Sequence, residues 1–152
     1  MATKAARVRT DTLMRRIFKA SALEDVLRQN EGSMGQEAFT ECLCRLCAAK
    51  GLVPEQAIRR SEIDRSYGHQ LFNGTRQPSR DKVLQLAFGL SLTVDETQRL
   101  LRAAQRSPLY PRLKRDAVVL FALSKAMSII EVQGLLTGQG LTPLGGANRH
   151  EK

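Results

Sequence analysis

The feature that most constrains this chain is a run of helix stops and starts packed into residues 50–83. Lys50-Gly51 closes one helix. Pro54 suits the first turn of the next, where its missing N–H costs nothing. An Ile63-Asp64 junction follows, with Asp64 placed to cap a helix over 65–72. Asn73-Gly74 stops that helix, and Pro78-Ser79 opens another. Ala57, Ile58, Leu71 and Phe72 supply the inward side. Two short helices separated by so tight a junction fold back on one another, and the second is left on the outer surface.

The remaining punctuation is also helical. Leu13, Ile17 and Phe18 share one side of a helix from Thr12 to about Lys19. Ser21-Ala-Leu-Glu24 reads as a capping box opening a helix with Leu23, Val26 and Leu27. Phe39, Leu43 and Leu46 form one buried stripe in a helix over 36–49. Ser79 caps a helix over 80–89. Thr93–Glu96 and Ser128–Glu131 are further capping boxes, opening helices with Val94, Thr97, Leu100, Leu101 and Ala104 and with Ile129, Ile130, Val132, Leu135 and Leu136. Ala117, Val118, Leu120, Phe121 and Leu123 are apolar nearly all round, which predicts burial of a helix over 114–125. No strand alternation and no internal repeat emerges from counting matches. The expectation is an all-α protein of seven or eight helices. Its parts are an N-terminal helical segment (1–35), a core (36–106), a C-terminal helical pair (107–141) packed on that core and offering a two-fold dimer surface, and a loose tail (142–152), with the flanking helices open to a protein partner.

Charge narrows the partners. The net charge is +9 and the excess is spread along the chain, with 7 basic and 4 acidic residues over 1–35, 11 and 8 over 36–106, and 6 and 3 over 107–152. Such a surface favours a polyanion. The cysteines, Cys42, Cys44 and Cys47, lack zinc-knuckle spacing and have no nearby histidine, so no metal is expected. Cys42 and Cys47 read as small apolar fillers and Cys44 as solvent-facing. Reduced thiols, no signal peptide and no apolar run long enough to span a bilayer point to the cytoplasm.

Residues 37–105 are similar to the lambda-repressor or Cro-like helix-turn-helix family, often labelled XRE-type. Gly51-Leu52 resembles the exit of that family's first helix. Ile63-Asp64-Arg65-Ser66-Tyr67 resembles its Ile-Ser-Arg-Ser-Tyr at the turn and recognition helix. Asn73-Gly74-x-Arg76-x-Pro78-Ser79 resembles its Asn-Gly-x-x-x-Pro-Ser exit, and Leu86-Ala87 through Asp95-Glu96 its following run. The chain departs from the pattern at Val53-Pro54, where the family has Ser-Gln, at Glu62, where it has a small turn glycine, and at Gly68, where it is apolar.

The resemblance implies a lambda-repressor-like five-helix core and a sequence-specific, double-stranded DNA-binding transcription regulator acting as a homodimer, nucleoid-associated and without cofactor. It places 65–72 in the major groove, with Arg65, Ser66, His69 and Gln70 facing the bases. Arg and Gln carry the forked groups that read guanine and adenine edges. Arg76, Arg80 and Lys82, helped by Arg59 and Arg60, would hold phosphates. The alternative is a non-enzymatic helical module that keeps the scaffold and binds a protein, for which Glu62, Pro54 and Gly68 speak. No nucleophile–base pair, paired carboxylates or phosphate loop suggests an enzyme.

Overall fold

The computed structural model describes residues 8–33 and 37–145, and among them every regular element is helical. The chain divides into two compact units, Met1–Gln36 and Glu37–Lys152. In the first, α1 (Thr10–Lys19) and α2 (Leu23–Gln29) are followed by a 3-10 turn, Glu31–Ser33. Among the described residues, Val26 and Asn30 are its buried side chains. Arg16 donates to the Asn30 side-chain oxygen at 2.6 Å, and the Asn30 amide donates to the Val26 carbonyl at 2.7 Å, which ties the two helices together. The Ser21–Glu24 capping box does not form. Ala22 takes the N-cap position, one residue beyond the serine, and no side chain caps the helix. Ile17 and Phe18, which share one side of α1, and Leu23 and Leu27 of α2 are exposed.

The second unit holds α3 (Phe39–Ala49), α4 (Pro54–Arg60), α5 (Arg65–Phe72), α6 (Arg80–Gly89), α7 (Val94–Ala103), α8 (Lys114–Ser124) and α9 (Ile129–Gly138). α6 is its axis, with every residue from Val83 to Gly89 buried. The α3 stripe of Phe39, Leu43 and Leu46 is buried with Cys42 and Cys47, while Cys44 is exposed and all three thiols are free. Burial, with Glu37 beside it, pushes the Cys42 thiol up to about 11, so it packs as an inert apolar group. The caps expected at Asp64, Ser79, Thr93 and Ser128 all form. At α4 the Gln56 side chain accepts from the Val53 N–H, which supplies half a box where valine cannot supply the rest.

One hydrophobic cluster runs from Phe39 to Leu144. The C-terminal pair contributes Val119, Ala122, Leu123, Ile129, Val132 and Leu136 to it, so residues 107–141 are continuous with the core. Burial of that pair is one-sided, since Phe121 and Ile130 remain exposed. The start of the expected loose tail is pinned. Gln133 clamps both backbone groups of buried Leu144, at 2.8 and 2.7 Å, and the Gly145 N–H donates to Asp81. Residues 146–152 lie outside the described residues.

Among the described residues, all seven helices of this unit end the same way. The residue after each C-cap has a left-handed backbone: Gly51, Glu62, Gly74, Ser91, Gln105, Ala126 and Gly140. Its successor then donates back to the helix, as Ile63 N–H does to Ile58 and Leu92 N–H to Ala87. This is the Schellman arrangement, which is built for glycine. Four of the seven positions instead carry side chains that resist the conformation.

The packing also exposes an internal repeat, contrary to the count made on sequence. Residues 80–111 and 115–146 align at a spacing of 35, with identities that include Arg80/Arg115, Asp81/Asp116, Glu96/Glu131, Gln98/Gln133 and Pro108-Leu109/Pro143-Leu144. Each half is a hairpin with a left-handed turn and then a capping box. Gln98 clamps the Leu109 backbone as Gln133 clamps Leu144. The contacts within and between the halves interchange when the halves do. Arg80 grips Asp116 bidentately at 3.0 and 2.8 Å and the carbonyls of Ser107 and Pro108. Arg115 grips Asp81 at 2.9 Å twice and the carbonyls of Thr142 and Pro143. Asp116 accepts from the Tyr110 N–H, and Asp81 from that of Gly145. This is the pattern of a two-fold interface, here within one chain.

Candidate nucleic-acid interface

The α4–α5 junction is held from inside. Ser61, fully buried, donates its hydroxyl to the Ala57 carbonyl at 2.7 Å. Glu62 makes the left-handed turn where the resembled family has glycine, and Ile63 drops into the core. Gln85, reaching from α6, donates to the Ser61 carbonyl at 3.2 Å and to that of Glu62 at 3.5 Å, while its Oε1 is buried without a partner among the described residues. Gly68 is buried because Ile58 crosses directly over it. A Cβ there would sit 2.6 Å from two Ile58 carbons. Gly89 is tighter still, with a Cβ position 2.8 Å from backbone atoms of Ala57 and Ser61. These two glycines let α4 lie close to α5 and α6, and so fix how α5 is presented.

On its outer side α5 carries Arg65 and Ser66 exposed at its first turn and His69 and Gln70 half-buried at its second. The Arg65 side chain is 79% exposed. It is not free of the protein, however. Glu55 at the start of α4 accepts from Arg65 Nε through one carboxylate oxygen at 2.6 Å, and its other oxygen lies 2.6 Å from His69 Nε2. Hydrogen bonding from His69 first and Arg65 second holds the Glu55 carboxyl below the usual range. The ionised carboxylate can only accept, so Nε2 carries the proton.

The flanking cations divide into two kinds. Arg76 and Lys82 lie over the Tyr67 ring, 5.0 and 5.8 Å from its centroid. They form a cationic ledge beside α5 stacked on an aromatic face. Arg59 is exposed at the end of α4, and Arg60 donates to the Ser91 hydroxyl at 2.8 Å. Arg80 does not join this surface. Its guanidinium is spent on Asp116, 3% exposed, and on two carbonyls, so the expected phosphate role is replaced by a structural one. The carboxylate that claims it lies 36 residues downstream.

Sequence reasoning missed three residues that shape this surface: Glu55, Tyr67 as a ledge and Gln85. Glu55 stands ten residues before Arg65 and four more before His69, with no local pattern to join them. Among the described residues, no cluster of three or more His, Cys, Asp or Glu is placed to hold a metal, and no helix is long and apolar enough to cross a membrane. No family model, curated protein or solved structure matches this chain.

Proposed function

We propose that the chain is a sequence-specific double-stranded DNA-binding regulator of the lambda-repressor or XRE-type helix-turn-helix class, with α5 entering a major groove. The observation that carries this reading is the outward first turn of α5, where Arg65 and Ser66 stand clear of the core beside the ledge of Arg76 and Lys82. A short, rigidly seated helix with a forked donor at its N-terminal end is the geometry of base reading. Ser66, His69 and Gln70 complete the base-facing set. Arg59, Arg76 and Lys82 serve phosphates, with Arg60 released from Ser91 for the same use. A homodimer acting on the nucleoid would read two half-sites about one helical turn apart.

The test is selection from a random duplex library, beside Arg65→Ala/Gln70→Ala. Enrichment of a palindromic site that vanishes in the double variant supports the reading. Four phosphate contacts predict a log–log salt slope of about −3.6 per copy. No retention of duplex at low salt overturns it and favours the second reading, a protein-interaction surface. That reading draws on the exposed Val53, Glu62 and Asp64 around the same junction.

A further inference from the structure

We propose that Glu55 is a positioning residue that presents Arg65 to a guanine, trading general affinity for selectivity; this rests on the DNA-binding reading above. Arg65 and His69 lie one turn apart on the same side of α5, and a single carboxylate from α4 reaches both. It engages Arg65 through Nε alone. The two terminal nitrogens, the fork that matches O6 and N7 of guanine, have no partner among the described residues. A long, exposed arginine without such a brace must surrender its rotamer freedom on binding. Here part of that ordering is done beforehand. The same bond to His69 fixes the proton on Nε2, and Nδ1 has no hydrogen bond among the described residues.

The carboxylate has an opposite effect on every duplex, whatever its sequence. A negative charge beside the reading helix opposes the phosphate backbone. Bracing therefore favours one base at one position, while the charge weakens binding everywhere. The two effects separate on substitution. Glu55→Gln keeps the size and one acceptor for Arg65 Nε but removes the charge, and Glu55→Ala removes both.

The experiment measures the full-length protein and both variants on the duplex selected by wild type and on an unrelated duplex, together with the base preference at each position. Thermal melting confirms that the variants fold, since Glu55 is a surface residue. Glu55→Ala is expected to bind the unrelated duplex more tightly than wild type. It is also expected to lower the ratio of selected to unrelated affinity by about tenfold, within the range that one bidentate base contact supplies. The lost preference should fall at the guanine that Arg65→Ala also loses, and the double variant should lose no more than Arg65→Ala alone. Glu55→Gln should tighten unrelated binding equally and lose less of the ratio. A wild type that selects a site, with Glu55→Ala unchanged in ratio and positional preference, overturns the proposal and leaves the DNA reading standing. A wild type that retains no duplex overturns both.

Discussion

At the scale of single residues, the sharpest constraints are two helical glycines, Gly68 and Gly89, where helix propensity would favour alanine. Gly89 has backbone of α4 where its Cβ would go, so Gly89→Ala cannot be relieved by a rotamer change. We expect it to cost more than about 3 kcal/mol, beyond the ordinary overpacking range. Gly68→Ala meets only the Ile58 side chain and gains about 1 kcal/mol of helix propensity, so a net loss of about 1–2 kcal/mol is expected. Urea midpoints measure both, and a stabilised Gly89→Ala would show the packing to be misread. The converse holds at the left-handed turns. Ala126→Gly and Gln105→Gly should each raise stability by about 0.5–1 kcal/mol, because relief of a strained backbone exceeds the added unfolded-state entropy. Melting temperatures rising with each substitution are the expected outcome. Asp64, Ser79 and Thr93 were legible because a cap is a local event. The need for Gly68 was not, because its reason, Ile58, stands ten residues away and across a turn.

At the scale of elements, α6 and α8 are locked by an Arg-Asp dipeptide in the first turn of each, Arg80-Asp81 and Arg115-Asp116. Asp116 is buried against Arg80, so Asp116→Asn leaves a guanidinium with half its partners and should cost about 2–4 kcal/mol. Asp81→Asn should cost less, since Asp81 and Arg115 are more open. A double-variant cycle across each pair measures the coupling. Burial raises the Asp81 carboxyl, but hydrogen bonds from Arg115 and from the Gly145 N–H outweigh it and bring it below the ordinary value. Its unfolded value is about 4. The stabilisation is therefore complete above about pH 4 and lost as pH falls through the lower folded value. Asp81→Asn should flatten the acid limb of the stability curve and leave its neutral plateau lower. Reading Arg80 as a phosphate contact was the natural inference from an arginine at a helix start. Which anion it meets is decided by tertiary packing, and a linear reading has no access to that.

At the scale of the whole molecule, the all-helical class was legible because periodicity and punctuation repeat the same message over many residues. The duplication of residues 80–111 was present in the letters but passed unseen. The two capping boxes stand 35 residues apart, yet most positions between them have changed, and a domain boundary drawn at 106 cuts through the unit. Leu144 and Gly145, assigned to a tail, close the second half. Removing residues 142–152 should accordingly lower the melting temperature by several degrees, measured by calorimetry. The interchangeable ion pairs carry one more implication. A surface that matches itself after a half-turn accepts the same surface from a neighbour as readily as from its own chain. Crowded refolding should therefore yield exchanged pairs, in which each hairpin clasps the opposite hairpin of another copy, and dilution should return single chains without altering one bond type.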